Sequence, residues 1–187
     1  MYHICEKDYI SSNNYSSIFE KYPFPLDTFQ KYSIEAIEEG HNILVAVPTG
    51  SGKSLPGEYA IKKFCEAGKK VIYTSPIKAL SNQKHKEFSK KFPNISFGIV
   101  TGDTNNNSDA DCLIMTTEIL WKTLFQTRMK KNKSINADKI ELHFDLKVED
   151  IGAVIFDEFH YINDRFRGHV WKQTVKMLPV EVVQVYL

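Results

Sequence analysis

Apolar residues fall into short unbroken runs along this chain. NILVAV (42–47) is the first and is rich in β-branched residues; KKVIYTS (69–75), ISFGIV (95–100), DCLIMTT (111–117), IGAVIFDE (151–158) and VEVVQVYL (180–187) follow. Runs of this kind predict strands buried on both faces, as in a parallel sheet. Between them the apolar spacing becomes helical. A short helix ends at Gly40, a second runs from PTGSGKS to about Ala67, and a third, IKALSNQKHKEFSKKF (77–92), stops before Pro93. EILWKTLFQ (118–126) and RFRGHVWKQTVKML (165–178) complete the set. Strands alternating with helices predict βαβ units, hence an α/β fold: a doubly wound parallel sheet with helices on both faces.

Two stretches break this rhythm. Residues 1–22 are polar, with SSNNYSS in the middle, and read as an N-terminal appendage to a domain over 23–187. Residues 126–150, QTRMKKNKSINADKIELHFDLKVED, are long and polar at their start and read as an insertion before the strand at 151. Within it, KIELHFDL alternates apolar and polar residues and predicts a strand or hairpin arm.

Composition narrows the class. A chain of 187 residues, 42% hydrophobic and 25% charged, suits one ordinary globular domain with a real core. No apolar run approaches the roughly 20 residues that span a bilayer, and MYHICEKDYI lacks the layout of a signal peptide. Cys5, Cys65 and Cys112 are far apart and odd in number, which argues against a disulfide framework or a zinc site. Such usage suits a reducing intracellular compartment, cytoplasm or nucleus. A net charge of +1 confines any nucleic-acid contact to a few placed groups.

The chemistry concentrates in two places. VAVPTGSGKS (45–54) joins a strand to a helix through a glycine-rich turn. Gly50 and Gly52 let the backbone curl so that successive N–H groups point inward, and the following helix adds its free N–H groups and positive dipole end. Pro48, Thr49, Gly50, Ser51 and Gly52 would then cradle phosphate oxygens, Lys53 would reach the β- and γ-phosphates, and the Ser54 hydroxyl would meet Mg²⁺. Val47 stands where the full phosphate-loop pattern has glycine. AVIFDEFH (153–160) supplies the second place. Asp157, at the carboxyl end of a buried strand, would hold Mg²⁺ through its water shell, and Glu158 would orient and deprotonate an attacking water. Together the two motifs point to hydrolysis of a nucleoside triphosphate.

With these residues in view, the chain resembles the superfamily 2 helicases in their DExH branch: PTGSGKS and DEFH match motifs I and II. The resemblance covers roughly residues 22–187 and implies a RecA-like fold, with ATP and Mg²⁺ as cofactors. FPLDTFQ is similar to the adenine-recognising segment, which implies that Phe24 stacks on the base and Gln30 hydrogen-bonds its edge. TSPIKALSNQKHKEF resembles motif Ia, TGD (101–103) motif Ib, and MTTEIL (115–120) the following strand-end motif. By these matches Pro76, Lys78, Thr101, Gly102 and Thr117 would lie along one strand of nucleic acid, through contacts that do not read sequence. His160 would couple nucleotide state to a second domain. HYINDRFRGHVW resembles the segment after motif II; Arg165 and Arg167 within it either pair with nearby acids or face another domain. Tyr161, Trp121 and Trp171 are expected in core or interdomain packing.

The wording of these motifs is similar to that of the RNA helicases that feed the exosome, so single-stranded RNA is the favoured partner and an RNA-decay complex an implied one. The family continues beyond VQVYL into a second RecA-like domain with arginine fingers. This chain is therefore expected to be the first motor domain, weak in hydrolysis and unable to unwind alone. Three other readings stay open: a DNA helicase of the same superfamily, a nucleotide-dependent nucleic-acid-binding module, and a small-molecule P-loop kinase. The basic run of Arg128, Lys130, Lys131 and Lys133 reads first as a solvated loop tip and second as an extra contact for RNA or a partner.

Overall fold

A computed structural model describes residues 4–5, 8–10, 15–131 and 146–187. Its centre is a seven-stranded sheet: β1 (Ile43–Leu44), β2 (Lys70–Ser75), β3 (Phe97–Val100), β4 (Asn105–Asn106), β5 (Cys112–Thr116), β6 (Ile151–Phe156) and β7 (Val183–Tyr186). The spatial order is β1-β7-β6-β2-β5-β3-β4, and every pairing is parallel except β3 with β4. Parallel strands need crossovers. These are α3 (Ser54–Glu66), α4 (Lys78–Lys91), α5 (Thr117–Lys131) and α6 (Gly168–Met177), preceded by α1 (Ser16–Phe19) and α2 (Thr28–Glu38).

Alternation along each strand sorts the core into two layers. Val71, Tyr73, Cys112, Ile114, Ala153 and Ile155 face Ile61 of α3 and Phe88 of α4. Ile72, Leu113, Met115, Val154 and Phe156 face Leu120 of α5 and Trp171 of α6. Because both faces are covered, the central strands read as unbroken apolar runs. Trp171 is fully buried, and Tyr161 stacks on it at 6.3 Å. Trp121 stacks on Phe125 at 5.9 Å.

The structure corrects several local expectations. The 42–47 run is not a strand buried on both faces: its ladder is only Ile43–Leu44, at the sheet edge, and Leu44 is 66% exposed. Two-residue β4 is missing from the sequence reading because Asn105 and Asn106 are exposed and polar. Helix α5 continues to Lys131, and Leu146 is buried in the core, so the ends of the 126–150 stretch belong to the domain. Arg128 is exposed on α5, and Lys133 with most of KIELHFDL lies outside the described residues. Residues Ile18, Phe19 and Tyr22 of the N-terminal stretch pack on Leu26, Ile34 and Leu55, bracing α2 against α3.

Candidate functional site

The carboxyl ends of β1, β6, β2 and β5 line one edge of the sheet, where open α/β folds bind ligands. β1 hands over to the phosphate loop through Val45, whose N–H donates to the Tyr186 carbonyl at 2.8 Å. Val47, partly buried, packs on the core. Gly50 and Gly52 take φ values of 86° and 77°, a region costly for residues with a Cβ. Ser51 closes the turn by donating to the Pro48 carbonyl. Pro48, Thr49 and Gly50 are exposed, Lys53 precedes α3, and Ser54 is its first residue, with Pro56 in the first turn.

Gln30 lies under this loop. Its Oε1 accepts from the Asp27 N–H at 2.9 Å, and its Nε2 donates to the Gly52 carbonyl at 3.3 Å. Gln30 is therefore buried, with its carboxamide committed both to the start of α2 and to the loop. Phe24 is half-exposed against Tyr22 at 5.9 Å, on a shallow hollow also lined by Phe19, Pro25 and Lys31. The segment that sequence linked to a base thus adjoins the loop that sequence linked to phosphates.

Across from the loop, β6 ends in the acidic pair. Asp157 is only 7% exposed, and both its oxygens are occupied: the Tyr73 hydroxyl donates to Oδ2 at 2.7 Å and the Glu158 N–H to Oδ1 at 3.0 Å. Burial, and then the neighbouring Asp157 charge, push the Tyr73 phenol well above its ordinary range, so it stays a proton donor. Glu158 sits in left-handed backbone, φ 54° and ψ 46°, costly for a non-glycine residue and frequent at functional sites. That twist aims its carboxylate at the loop: Oε2 lies 3.8 Å from Lys53 Nζ and 3.2 Å from His160 Nδ1. The predicted Lys53, Glu158 and His160 are thus brought together. Ser54 and Asp157 offer hard oxygen donors of the type that suits Mg²⁺, which is usually held by one or two carboxylates plus substrate phosphates. Among the described residues no cluster of three or more His, Cys, Asp or Glu is arranged to hold a metal ion without such help.

The expected nucleic-acid residues occupy the ends of β2, β3 and β5. Lys78 opens α4 and is ion-paired with Asp103, and the hydrogen bond from Lys78 holds the Asp103 carboxyl below its ordinary range. Thr101 is buried, and its hydroxyl donates to Asp103 Oδ1 at 3.2 Å. Thr117, at the start of α5, is fully buried with its hydroxyl unpartnered. Gly102 is exposed, and a Cβ there would meet nothing within 4 Å. Lys78 and Gly102 therefore face outward, whereas Pro76, Thr101 and Thr117 are buried behind them.

Sequence reasoning missed three members of this edge. Tyr73 was hidden inside an apolar strand, although an acid at the end of a neighbouring strand calls for a donor. Asp103 and Glu118 are acids whose partners only the fold supplies. Of the two arginines left open, Arg167 pairs with an acid: its Nε donates to Glu118 Oε1 at 2.7 Å. Arg165 lies over the exposed Phe166 ring at 5.9 Å.

The family model described as DEAD/DEAH box helicase matches residues 27–187. The antiviral helicase SKI2 of Saccharomyces cerevisiae is 45% identical over 166 residues, 89% of this chain and 12% of that protein. The exosome RNA helicase MTR4 of Mus musculus is 39% identical over 168 residues, 90% of this chain and 14% of that protein. The chain thus spans about an eighth of the length of these relatives. Among solved structures, the DUF1998 helicase MrfA bound to DNA and AMPPNP superposes with a TM-score of 0.66 at 17% identity, covering 96% of this chain and 26% of that one, a likeness of fold.

Proposed function

The chain belongs to the DEAD/DEAH box helicase family, and from that premise we propose that it is the ATP-binding first motor domain of an ATP-dependent RNA helicase. The observation that carries the reading is the meeting of the phosphate loop with the acidic pair, Lys53 Nζ at 3.8 Å from Glu158 Oε2. An incoming triphosphate offers Lys53 a stronger partner than Glu158. Its arrival would exchange that ion pair for Lys53–phosphate contacts and release the Glu158 carboxylate to take a proton from water. Pro48 to Ser54 would hold the phosphates, with Phe24 and Gln30 beside the base. Ser54 and Asp157 would hold Mg²⁺, which would supply charge neutralisation for the transferred group. His160, exposed and beside Glu158, would report occupancy to a second RecA-like domain.

The nucleic-acid strand would run past Pro76, Lys78, Thr101, Gly102 and Thr117, contacting backbone rather than base edges. RNA is favoured because the relatives named as RNA helicases or antiviral helicases share 39–45% of aligned residues. Arginine fingers and the other half of the track would come from that second domain, within a longer protein that serves an RNA-decay complex. The three free cysteines suit a reducing intracellular compartment. The test is ATP hydrolysis by a longer form carrying a second RecA-like domain, with no nucleic acid, single-stranded RNA or DNA of equal length, beside Glu158→Gln. Stimulation by RNA that the substitution abolishes supports the reading. Equal stimulation by DNA removes the preference for RNA, and ATP binding without hydrolysis favours a binding module.

A further inference from the structure

The segment after the acidic pair folds back onto the sheet edge. A 3₁₀ helix, Phe159–Asn163, leads into a turn in which Asp164 Oδ1 accepts from the N–H groups of Phe166 at 2.9 Å and Arg167 at 2.7 Å. The turn is tight: a Cβ on Gly168 would lie 2.4 Å from the Ile162 carbonyl oxygen. It delivers the Arg167 guanidinium between two other segments. Nε and one terminal nitrogen both bond Glu118 Oε1, at 2.7 and 2.5 Å, and the same terminal nitrogen donates to the Pro76 carbonyl. The guanidinium also lies 5.9 Å over the Tyr161 ring. One planar group thus joins the loop after β2, the first turn of α5 and the stretch that begins at Glu158.

We propose that Arg167 is a positioning residue that couples the nucleic-acid edge to the nucleotide site. The inference rests on the functional reading above, since Pro76 and Thr117, the neighbour of Glu118, are the residues that reading sets along the strand. A guanidinium presents its donors in a fixed fork, so it constrains the directions as well as the distances of its partners; an ammonium does not. A nucleic acid that shifts the Pro76 carbonyl or the start of α5 must move Arg167 with them. The turn stiffened by Asp164 and Gly168 then passes that movement back toward His160 and Glu158. The same path run backward lets nucleotide occupancy set the spacing of the two strand-end segments, as linkage requires.

The test is a pair of equilibrium titrations on this chain. A fluorescent ATP analogue is bound with and without saturating single-stranded oligouridine, for the unaltered protein, Arg167→Lys and Glu118→Gln. The ratio of the two nucleotide affinities is the coupling factor, expected to be about fivefold or more in the unaltered protein. In both variants it should fall to near one, while nucleotide affinity without RNA stays within about twofold. The two variants separate this role from a charge effect. Arg167→Lys keeps the cation, so a purely electrostatic role would leave that variant unchanged, while Glu118→Gln, which removes an acid, would alter RNA affinity; a coupling factor intact in both variants overturns the proposal. Should Arg167→Lys fail to fold, the isosteric Glu118→Gln still tests the coupling, and an unchanged coupling factor in it overturns the proposal. An unaltered protein that binds both ligands with a factor of one overturns the coupling and leaves the motor-domain reading standing. Absence of nucleotide binding overturns both.

Discussion

The Tyr73 hydroxyl donates to Asp157 Oδ2 at 2.7 Å from the strand beside the one that Asp157 terminates. Register makes the bond: Tyr73 pairs with Ile155 and Thr74 with Phe156, so the phenol reaches along its own strand to the carboxylate just beyond. Tyr73→Phe removes only the oxygen. It leaves a nearly buried carboxylate short of one donor, a loss expected to cost about 1–3 kcal/mol. Urea denaturation should show a lower midpoint with an unchanged slope. An unaltered midpoint would mean that water replaces the phenol.

Lys53 and Glu158 form a partly exposed ion pair at 3.8 Å, of the kind worth at most about 1 kcal/mol. Lys53→Ala should therefore leave thermal stability nearly unchanged. Its effect should appear in ATP affinity, lowered by tenfold or more because the β- and γ-phosphates lose their cation. Calorimetric titration in Mg²⁺ buffer measures this, and affinity within twofold of the unaltered domain would exclude Lys53 as a phosphate ligand.

Asp111 and Ser96 bond reciprocally: Ser96 Oγ donates to Asp111 Oδ2 at 2.6 Å and accepts from the Asp111 N–H at 2.8 Å. Hydrogen bonds from the Ser96 side chain and backbone hold the Asp111 carboxyl below its ordinary value. A depressed folded-state pKa contributes stability above the unfolded pKa, and that contribution disappears as pH falls through the folded value. Ser96→Ala should thus be less stable than the unaltered protein near neutrality, and the gap should narrow below about pH 4. Denaturant midpoints across that range test it; a constant gap would assign the loss to packing.

The thiols should react at very different rates. Cys5 is exposed, whereas burial pushes the Cys65 thiol up to about 12 and raises the fully buried Cys112 well above its ordinary range. Since the thiolate is the nucleophile, alkylation at pH 8 should label one cysteine quickly in the folded chain and all three in denaturant. Equally fast labelling of Cys65 would mean that α3 opens readily.

The strands that are buried on both faces were legible in the sequence because burial demands apolar residues at every position. Lys70–Ser75 and Ile151–Phe156 depart from the sequence boundaries by one or two residues. Edge elements were less legible. The ladder of β1 is two residues long at the sheet edge, and β4 carries no apolar signal. At helix ends the reading failed where side chains replace periodicity: α6 begins at Gly168, after the Asp164 turn, not at Arg165. In the site, the glycine-rich loop and the acidic pair were visible because their chemistry is local. Tyr73, Asp103 and Glu118 were not, since each acts on a partner brought close only by the sheet. Gln30 shows the same limit from the other side: the sequence pointed to it only as a partner for a base, and its bonds to the Gly52 carbonyl and the Asp27 N–H emerge with the fold.

The pairing of β1 with β7 has a consequence for how the protein is made. Ile43 and Leu44 align with Val185 and Tyr186, and the Gln184 N–H bonds Asn42 Oδ1 across 142 positions of sequence. A ribosome releases the loop-bearing segment early, but the strand that anchors it emerges on the order of 10 s later at ordinary elongation rates. Throughout that interval the apolar 42–47 run waits without its hydrogen-bonding partner, and this nascent segment is where a chaperone has most to protect.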